Sequence, residues 1–338
     1  MEYQIESDKK QESVKESLNP VFIGGTQRSG TSLLRALIDS NTKIYFPKAE
    51  MKFFVRFYHK LKLFEPLDKI ENLKRFLYEY GTYRKNIQRA GLINREETLE
   101  LLKENHKSWA AVYETIMTQL AAMENKVRWG EKSPGNEYFT DEILSFFPGA
   151  KILCMIRDPR AVIASSKKRY GRGMIKPLIR WKLSICRIIY DYQRLASNTF
   201  RPIFYEDLIL SPEETMKGVF EFLEVTALNP INELEIAGEK WDGGGQSSYS
   251  EETLEGKGML WKHPLTAFKR VLSKRELLVI DIFTRGERKR LGYNGESSNE
   301  ESLYNMFCHR LQSNHLAISC PSAVIRALNR LTDRPLLV

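Results

Sequence analysis

A chain of 338 residues with 42% hydrophobic side chains and 20 glycines has the apolar share of an ordinary globular protein. That excludes disorder over most of its length and leaves room for one large α/β domain. The net charge of +9 is concentrated: residues 151–187 hold eleven Lys/Arg against one acid, Asp158, so this stretch nets +10 and the remainder −1, which places an anionic ligand or surface nearby.

Taken in chain order, residues 1–18 are charged and aperiodic and are expected to form a frayed arm with no signal-peptide core. Val21, Phe22 and Ile23 form a short buried strand between Pro20 and the Gly24–Gly25 pair, and a helix starts at Thr31 with Leu33, Leu34, Leu37 and Ile38 on one face. Ile44, Tyr45 and Phe46 suggest a second strand closed by Pro47. Helices are expected within 50–125, at 67–89, at 96–105 and from a Ser108 cap to Glu124. A strand at 127–129, a helix at 139–147 and the strand 152–156 follow, then a helix after Pro159, another at 176–197, a strand at 203–205 and a helix from Ser211. The glycine-rich stretch 241–260 reads as a loop, Ser273 starts a further helix ending near Gly292, 294–302 reads as a linker and 303–335 as helical. Strands alternating with helices predict a three-layer α/β fold, a parallel sheet covered by helices. The expected organisation is an arm at 1–18, one domain at 19–293, and a linker with a short helical appendage at 294–338.

No uncharged run reaches the ~18 apolar residues of a membrane-spanning helix, and none of Cys154, Cys186, Cys308 and Cys320 has metal-ligand spacing. Cys154 and Cys186 lie in apolar surroundings that suit buried, reduced thiols. A cytoplasmic protein is the expectation.

Between the first strand and helix, Gly25-Thr26-Gln27-Arg28-Ser29-Gly30-Thr31-Ser32 fits the phosphate-loop pattern G-x-x-x-x-G-K-[ST] except that Thr31 replaces the lysine. The backbone amides of such a turn and the positive end of the following helix cradle an anion. The missing lysine would reach the β- and γ-phosphates of a nucleoside triphosphate, so a shorter anion held without obligatory metal is indicated, with Arg28 as the nearby cation. The strand 152–156 runs into Arg157 rather than a carboxylate, although Asp158 keeps a metal-holding role open. A second anion site at Arg157 and Ser165 would suit a 3′,5′-bisphosphorylated nucleotide better than ATP.

These residues resemble the sulfotransferases that use 3′-phosphoadenosine 5′-phosphosulfate (PAPS), which have a P-loop-kinase-like fold. Thr26 to Leu34 is similar to their 5′-phosphosulfate loop. Lys151 to Ser165 is similar to their 3′-phosphate element, a strand, an arginine and a serine eight residues on. Tyr205-Glu206-Asp207-Leu208 resembles their strand-end tyrosine motif beside the adenine. The resemblance implies nucleotide binding by Gly25, Gln27, Arg28, Ser29, Gly30, Thr31, Ser32, Arg157, Ser165 and Tyr205. It also implies contact from Lys257 and Gly258, a late glycine-flanked basic motif. Glu50 stands close to the catalytic glutamate of the tyrosylprotein and carbohydrate branches, with His59 and His106 as fallback bases. Lys132 corresponds to the lysine that touches the bridging oxygen. Pro134 stands where many small-molecule sulfotransferases carry a histidine, which favours Glu50 as base. The implied co-substrate is PAPS, without a metal, and the implied partner is a hydroxyl-bearing carbohydrate, lipid or peptide acceptor. A kinase of the same fold remains the enzymatic alternative, and a non-catalytic nucleotide binder another. Nucleic acid is not expected, because no zinc-finger, RNP or KH signature is present.

Overall fold

The computed structural model describes residues 19–82, 95–104, 107–171, 173–227, 265–293 and 302–313. The expected arm 1–18, the loop 241–260, the end of the helix expected at 67–89, most of the linker and 314–335 lie outside the described residues.

Among the described residues the strands are β1 (Val21–Gly25), β2 (Ile44–Tyr45), β3 (Arg128–Lys132), β4 (Lys151–Ile156) and β5 (Phe200–Phe204). They form one parallel sheet in the order β2-β3-β1-β4-β5. Helices α1 (Thr31–Asn41), α2 (Ile70–Thr82), α3 (Arg95–Glu104), α4 (Trp109–Met123), α5 (Thr140–Phe146), α6 (Pro159–Tyr170), α7 (Ile175–Arg194), α8 (Tyr205–Leu210), α9 (Pro212–Leu223), α10 (Lys274–Arg290) and α11 (Leu303–Ser313) complete the chain order.

Side chains on a strand alternate between the two sheet faces, and both faces here are covered. Phe22 of β1 and Ile152, Cys154 and Ile156 of β4 pack with Trp181, Ile185 and Ile188 of α7. Val21, Ile23, Leu153 and Met155 point the other way, onto Leu33, Leu34 and Leu37 of α1 and Val219, Phe220 and Leu223 of α9. This is the expected three-layer arrangement. It explains why β1 and β4 read as unbroken apolar runs.

The helix ends follow local chemistry. Ser108 Oγ accepts the Ala111 amide and caps α4 as expected, and Ser273 with Glu276 forms a reciprocal capping box on α10. Asp158 caps α6, with Pro159 in its first turn and Gly171 past its end. Strand limits differ from the sequence reading: β1 runs on to Gly25, β2 ends at Tyr45, and β4 begins at Lys151. β3 extends to Lys132 and β5 begins at Phe200, because parallel pairing with β1 and β4 fixes their lengths. Tyr205 starts α8 rather than ending β5.

Between β2 and α2 the chain makes a π-helical turn (Phe53–Phe57) and then a 3-10 segment (Tyr58–Phe64). All of Phe53 to Phe57 are buried, a pattern no single helical stripe can produce. Phe53 stacks on Tyr113 with ring centroids 4.0 Å apart, and Phe54 meets Phe22 edge-on at 5.7 Å. This aromatic packing pins the segment after Glu50 to the sheet. Cys154 is buried and Cys186 is half-buried beside Glu287 of α10, so the second thiol is less enclosed than its apolar neighbours implied. Among the described residues no helix is long and apolar enough to cross a membrane.

The α11 helix is built into the domain rather than hung from it. Leu303 and Phe307 belong to the same core as β4 and α7, and the Phe307 ring lies 5.7 Å from that of Phe204.

Truncating the stacked ring should be costly. Phe53→Ala is expected to lower unfolding stability by about 3–5 kcal/mol, read as the shift in the midpoint of urea denaturation.

Candidate active site

All candidate residues on strands or strand ends fall at the carboxyl edge of the sheet, where ligands bind in open α/β folds. Gly25 ends β1, Lys132 ends β3, Arg157 follows β4 and Tyr205 follows β5. The loop after β1 is held by its two glycines. A Cβ on Gly25, whose φ is +121°, would lie 2.5 Å from the Met155 carbonyl oxygen, and one on Gly30, at φ +103°, would lie 2.5 Å from the Tyr205 ring. The Ser29 amide donates to the Thr26 carbonyl at 3.1 Å, and Arg28 between them takes a left-handed conformation at φ 74°. The Gly25 amide donates to Glu137 Oε2 at 2.7 Å. The same oxygen accepts the Gly135 amide at 2.9 Å, and Ser184 Oγ donates to Oε1 at 2.6 Å.

Helix α1 starts at Thr31 with no side-chain cap and no acid in its first turn. Its amide end is therefore left for an anion. Thr31 and Ser29 are buried, Gln27 and Ser32 half-buried, and Ser29 Oγ has no hydrogen-bond partner among the described residues.

The second candidate anion site adjoins the first rather than standing apart. Arg28 Nε donates to Ser165 Oγ at 3.0 Å, and Arg157 Nη1 donates to the Arg28 carbonyl at 3.1 Å. The Arg157 guanidinium lies 3.8 Å from the centroid of the Tyr205 ring, and Trp181 Nε1 donates to the Arg157 carbonyl at 2.8 Å. Among the described residues Arg157 Nε has no hydrogen-bond partner. Arg28, Arg157, Ser165 and Tyr205 thus form one cluster.

Glu50 and Lys132 are also brought together, with Lys132 Nζ donating to Glu50 Oε1 at 3.1 Å. Lys52, which sequence reasoning did not single out, meets Glu50 Oε2 at 2.7 Å. Burial pushes the Glu50 carboxyl up, but Lys132 and then Lys52 more than offset it and hold it at about 2. Burial pulls the Lys132 ammonium down, and Glu50 restores it only in part. Behind the pair stands Glu131, fully buried. It accepts the Lys52 amide (3.0 Å), Ser133 Oγ (2.6 Å) and Tyr113 OH (2.9 Å). Lys52 itself is left-handed at φ 56°, so these bonds fix the turn that carries Glu50. Position next to Lys132 in the sequence was the one available signal for Glu131.

His59 is exposed on the 3-10 segment. His106, Lys257 and Gly258 lie outside the described residues. Pro134 lines a shallow cleft with Gly25, Thr26, Gln27 and Tyr138.

Several basic residues of the stretch 151–187 are paired with carboxylates. Lys151 pairs with Glu224 (2.6 Å), Lys167 with Glu276 (2.7 Å), Lys182 with Glu287 (3.1 Å) and Arg187 with Asp191 (2.7 Å). Arg160 takes Asp158 at 2.5 Å, so the carboxylate considered for a metal is committed to a guanidinium and a helix cap. Among the described residues Arg157 makes no ion pair.

A loop at an uncapped helix, an arginine–serine cluster beside it and a pair formed by Lys132 of β3 with Glu50 thus gather at one edge of the sheet. The chain belongs to the sulfotransferase family, whose family model matches residues 20–230. Protein-tyrosine sulfotransferase A of Caenorhabditis elegans is 26% identical over 219 residues, covering 61% of this chain and 50% of that protein. The protein-tyrosine sulfotransferase of Drosophila melanogaster is 26% identical over 213 residues, covering 61% and 38%. The chain spans about half the length of the curated relatives it matches. The solved sulfotransferase domain of the Synechococcus PCC 7002 olefin synthase is 16% identical, with a TM-score of 0.44 over 89% of this chain and 97% of that one.

The ionisation of Glu50 makes a prediction about stability. Its carboxyl is lowered from 4.5 to about 2 in the folded protein, so the charged form stabilises the fold above pH 4.5 and this contribution is lost as pH falls toward 2. The stability advantage of wild type over Glu50→Gln, measured by urea denaturation, is expected to be full at pH 7 and to narrow by pH 3.

Proposed function

We propose that the protein transfers a sulfuryl group from PAPS to an acceptor hydroxyl by in-line displacement. The observation that carries this reading is the gathering of Arg28, Arg157 and Ser165 beside an uncapped α1, with two buried polar atoms, Ser29 Oγ and Arg157 Nε, lacking partners. An unpaired buried donor costs about 1–3 kcal/mol, and the phosphates of a short nucleotide would supply acceptors to both atoms. Thr31 in place of the loop lysine points the same way.

The co-substrate supplies an activated sulfuryl group, whose S–O bond to the 5′-phosphate breaks as the acceptor O–S bond forms. The loop from Gly25 to Ser32 holds the 5′ end with its amides. Arg157 and Ser165 hold the 3′-phosphate, together with Lys257 and Gly258 by family resemblance, and Tyr205 flanks the base. Lys132 meets the negative charge that gathers on the leaving phosphate, and Glu50 takes the acceptor proton. A carboxylate held at about 2 is a weak base. Lys132 is one of the two cations that lower it, so when that ammonium turns to the leaving phosphate the proton affinity of Glu50 rises. The base therefore strengthens as the leaving group is engaged. The names of the relatives make peptidyl tyrosine the first acceptor to try, and a carbohydrate hydroxyl the second.

Binding is tested by thermal shift. The expected result is stabilisation by 3′,5′-bisphosphoadenosine without metal, and a smaller effect of ATP with Mg²⁺; an equal or larger Mg²⁺-dependent ATP effect would assign the site to a kinase. Arg157→Ala should weaken the bisphosphate by roughly 10- to 100-fold, as a charge-assisted contact of about 1.5–3 kcal/mol requires, and adenosine 5′-phosphate far less.

Catalysis is tested by single-turnover transfer to a tyrosine peptide at saturating PAPS. Glu50→Gln should lower the rate by ~10²–10⁴ with nucleotide affinity nearly unchanged. Lys132→Ala should lower it by ~10²–10³ and cost some affinity as well. Near-normal transfer by Glu50→Gln would move the base to His59 or His106.

A further inference from the structure

Three consecutive side chains at the end of β5 point to three different neighbours. Tyr205 lies against Gly30 and under the Arg157 guanidinium. Glu206 is buried, with Oε1 accepting the Asp158 amide at 3.0 Å and Oε2 accepting Tyr293 OH at 2.7 Å. Asp207 caps α11: Oδ1 accepts the Leu303 amide at 2.9 Å, and Oδ2 accepts the Tyr304 amide at 2.9 Å and Ser302 Oγ at 2.8 Å.

The peptide joining Arg157 to Asp158 is therefore gripped from both sides. Trp181 of α7 donates to its carbonyl, and Glu206 accepts its amide. Glu206 is in turn fixed by Tyr293, which follows α10 and is buried in the core that also contains Leu303 and Phe307 of α11. Burial pushes the Glu206 carboxyl up to about 7, against the pull of the Asp158 amide, the Tyr293 hydroxyl and the Arg157 charge. A carboxylate so enclosed needs both donors to hold one geometry.

We propose that Tyr293 and the first turn of α11 are a working part of the nucleotide site, with Glu206 and Tyr293 as positioning residues that set the Arg157 turn for contact with the 3′-phosphate. This rests on the reading of Arg157 as the 3′-phosphate contact. Tyr293 acts through Glu206 on the peptide that aims the guanidinium. Asp207 ties α11 to the same turn of chain, so loosening the helix loosens the brace.

The test is calorimetric titration of wild type, Tyr293→Phe, Glu206→Gln and Glu206→Ala with 3′,5′-bisphosphoadenosine and with adenosine 5′-phosphate. Wild type should prefer the bisphosphate; if it does not, the reading of Arg157 fails and the proposal with it. Given that preference, Tyr293→Phe should reduce it by about 3- to 10-fold, the scale of one lost hydrogen bond, while affinity for the monophosphate changes less than about twofold. Glu206→Ala should reduce it more, and Glu206→Gln, which can still accept the Asp158 amide, should recover part of the loss. Hydrogen exchange supplies a readout independent of binding. In Tyr293→Phe the Asp158 amide should exchange faster while amides in β4 do not. An unchanged ratio of the two affinities in Tyr293→Phe and Glu206→Ala, or equal loss of both nucleotides with uniform acceleration of exchange, would overturn the proposal.

Discussion

The bond from the Gly25 amide to the buried carboxylate of Glu137 sets where the loop after β1 begins. Gly25 is the last residue of β1, and at its φ of +121° the backbone turns out of the sheet. Its amide can no longer join a strand ladder and would be lost to the interior without an acceptor. Glu137 provides one and also binds the Gly135 amide and the Ser184 hydroxyl. One side chain thereby locks the end of β1, the loop after β3 and the middle of α7 in a single geometry. The positions of Arg28 and Lys132 relative to α1 follow from that arrangement.

Acidic residues at the sheet edge divide into two groups with different physics. Glu131, Glu137 and Glu206 are buried, and burial raises the carboxyl of each. Each is surrounded by amide and hydroxyl donors, and each shapes backbone. Glu50 alone lies between two ammonium groups and is partly open to solvent. Removing one partner of such an ion pair is costly because it leaves the other charge uncompensated. Glu50 is thus held by charge, where the three buried glutamates are held by amide and hydroxyl donors.

Much of this was legible in the sequence. The apolar runs at Val21–Ile23 and 152–156, each followed by a turn and a helix, announced a parallel sheet, and the Gly25 and Gly30 spacing announced the tight turn into α1. The contacts Arg28–Ser165 and Glu50–Lys132 join residues the motifs had already named. What was hidden depended on tertiary context. The aromatic run at Phe53–Phe57 is buried on all sides, so no periodicity marked its π-helical turn. The three buried glutamates look like surface residues in a one-dimensional reading, because nothing local shows which donors will surround them. The basic stretch overstated the local field, since its counter-charges arrive from α9 and α10, tens of residues later.

The contacts that build the site also bear on when it comes into being. Arg28 reaches Ser165 across 137 residues, Arg157 reaches Arg28 across 129, and Gly25 reaches Glu137 across 112. Each closes a long loop whose entropy must be offset by contacts formed elsewhere in the sheet. Parallel pairings of this range form slowly, and among the described residues no single helix holds the whole cluster. A partly folded chain with β1 and α1 in place would present the loop with Arg28 but without Arg157 or Lys132. Ligand present during refolding would thus act on the last step of assembly, drawing the finished protein forward without guiding its earlier stages.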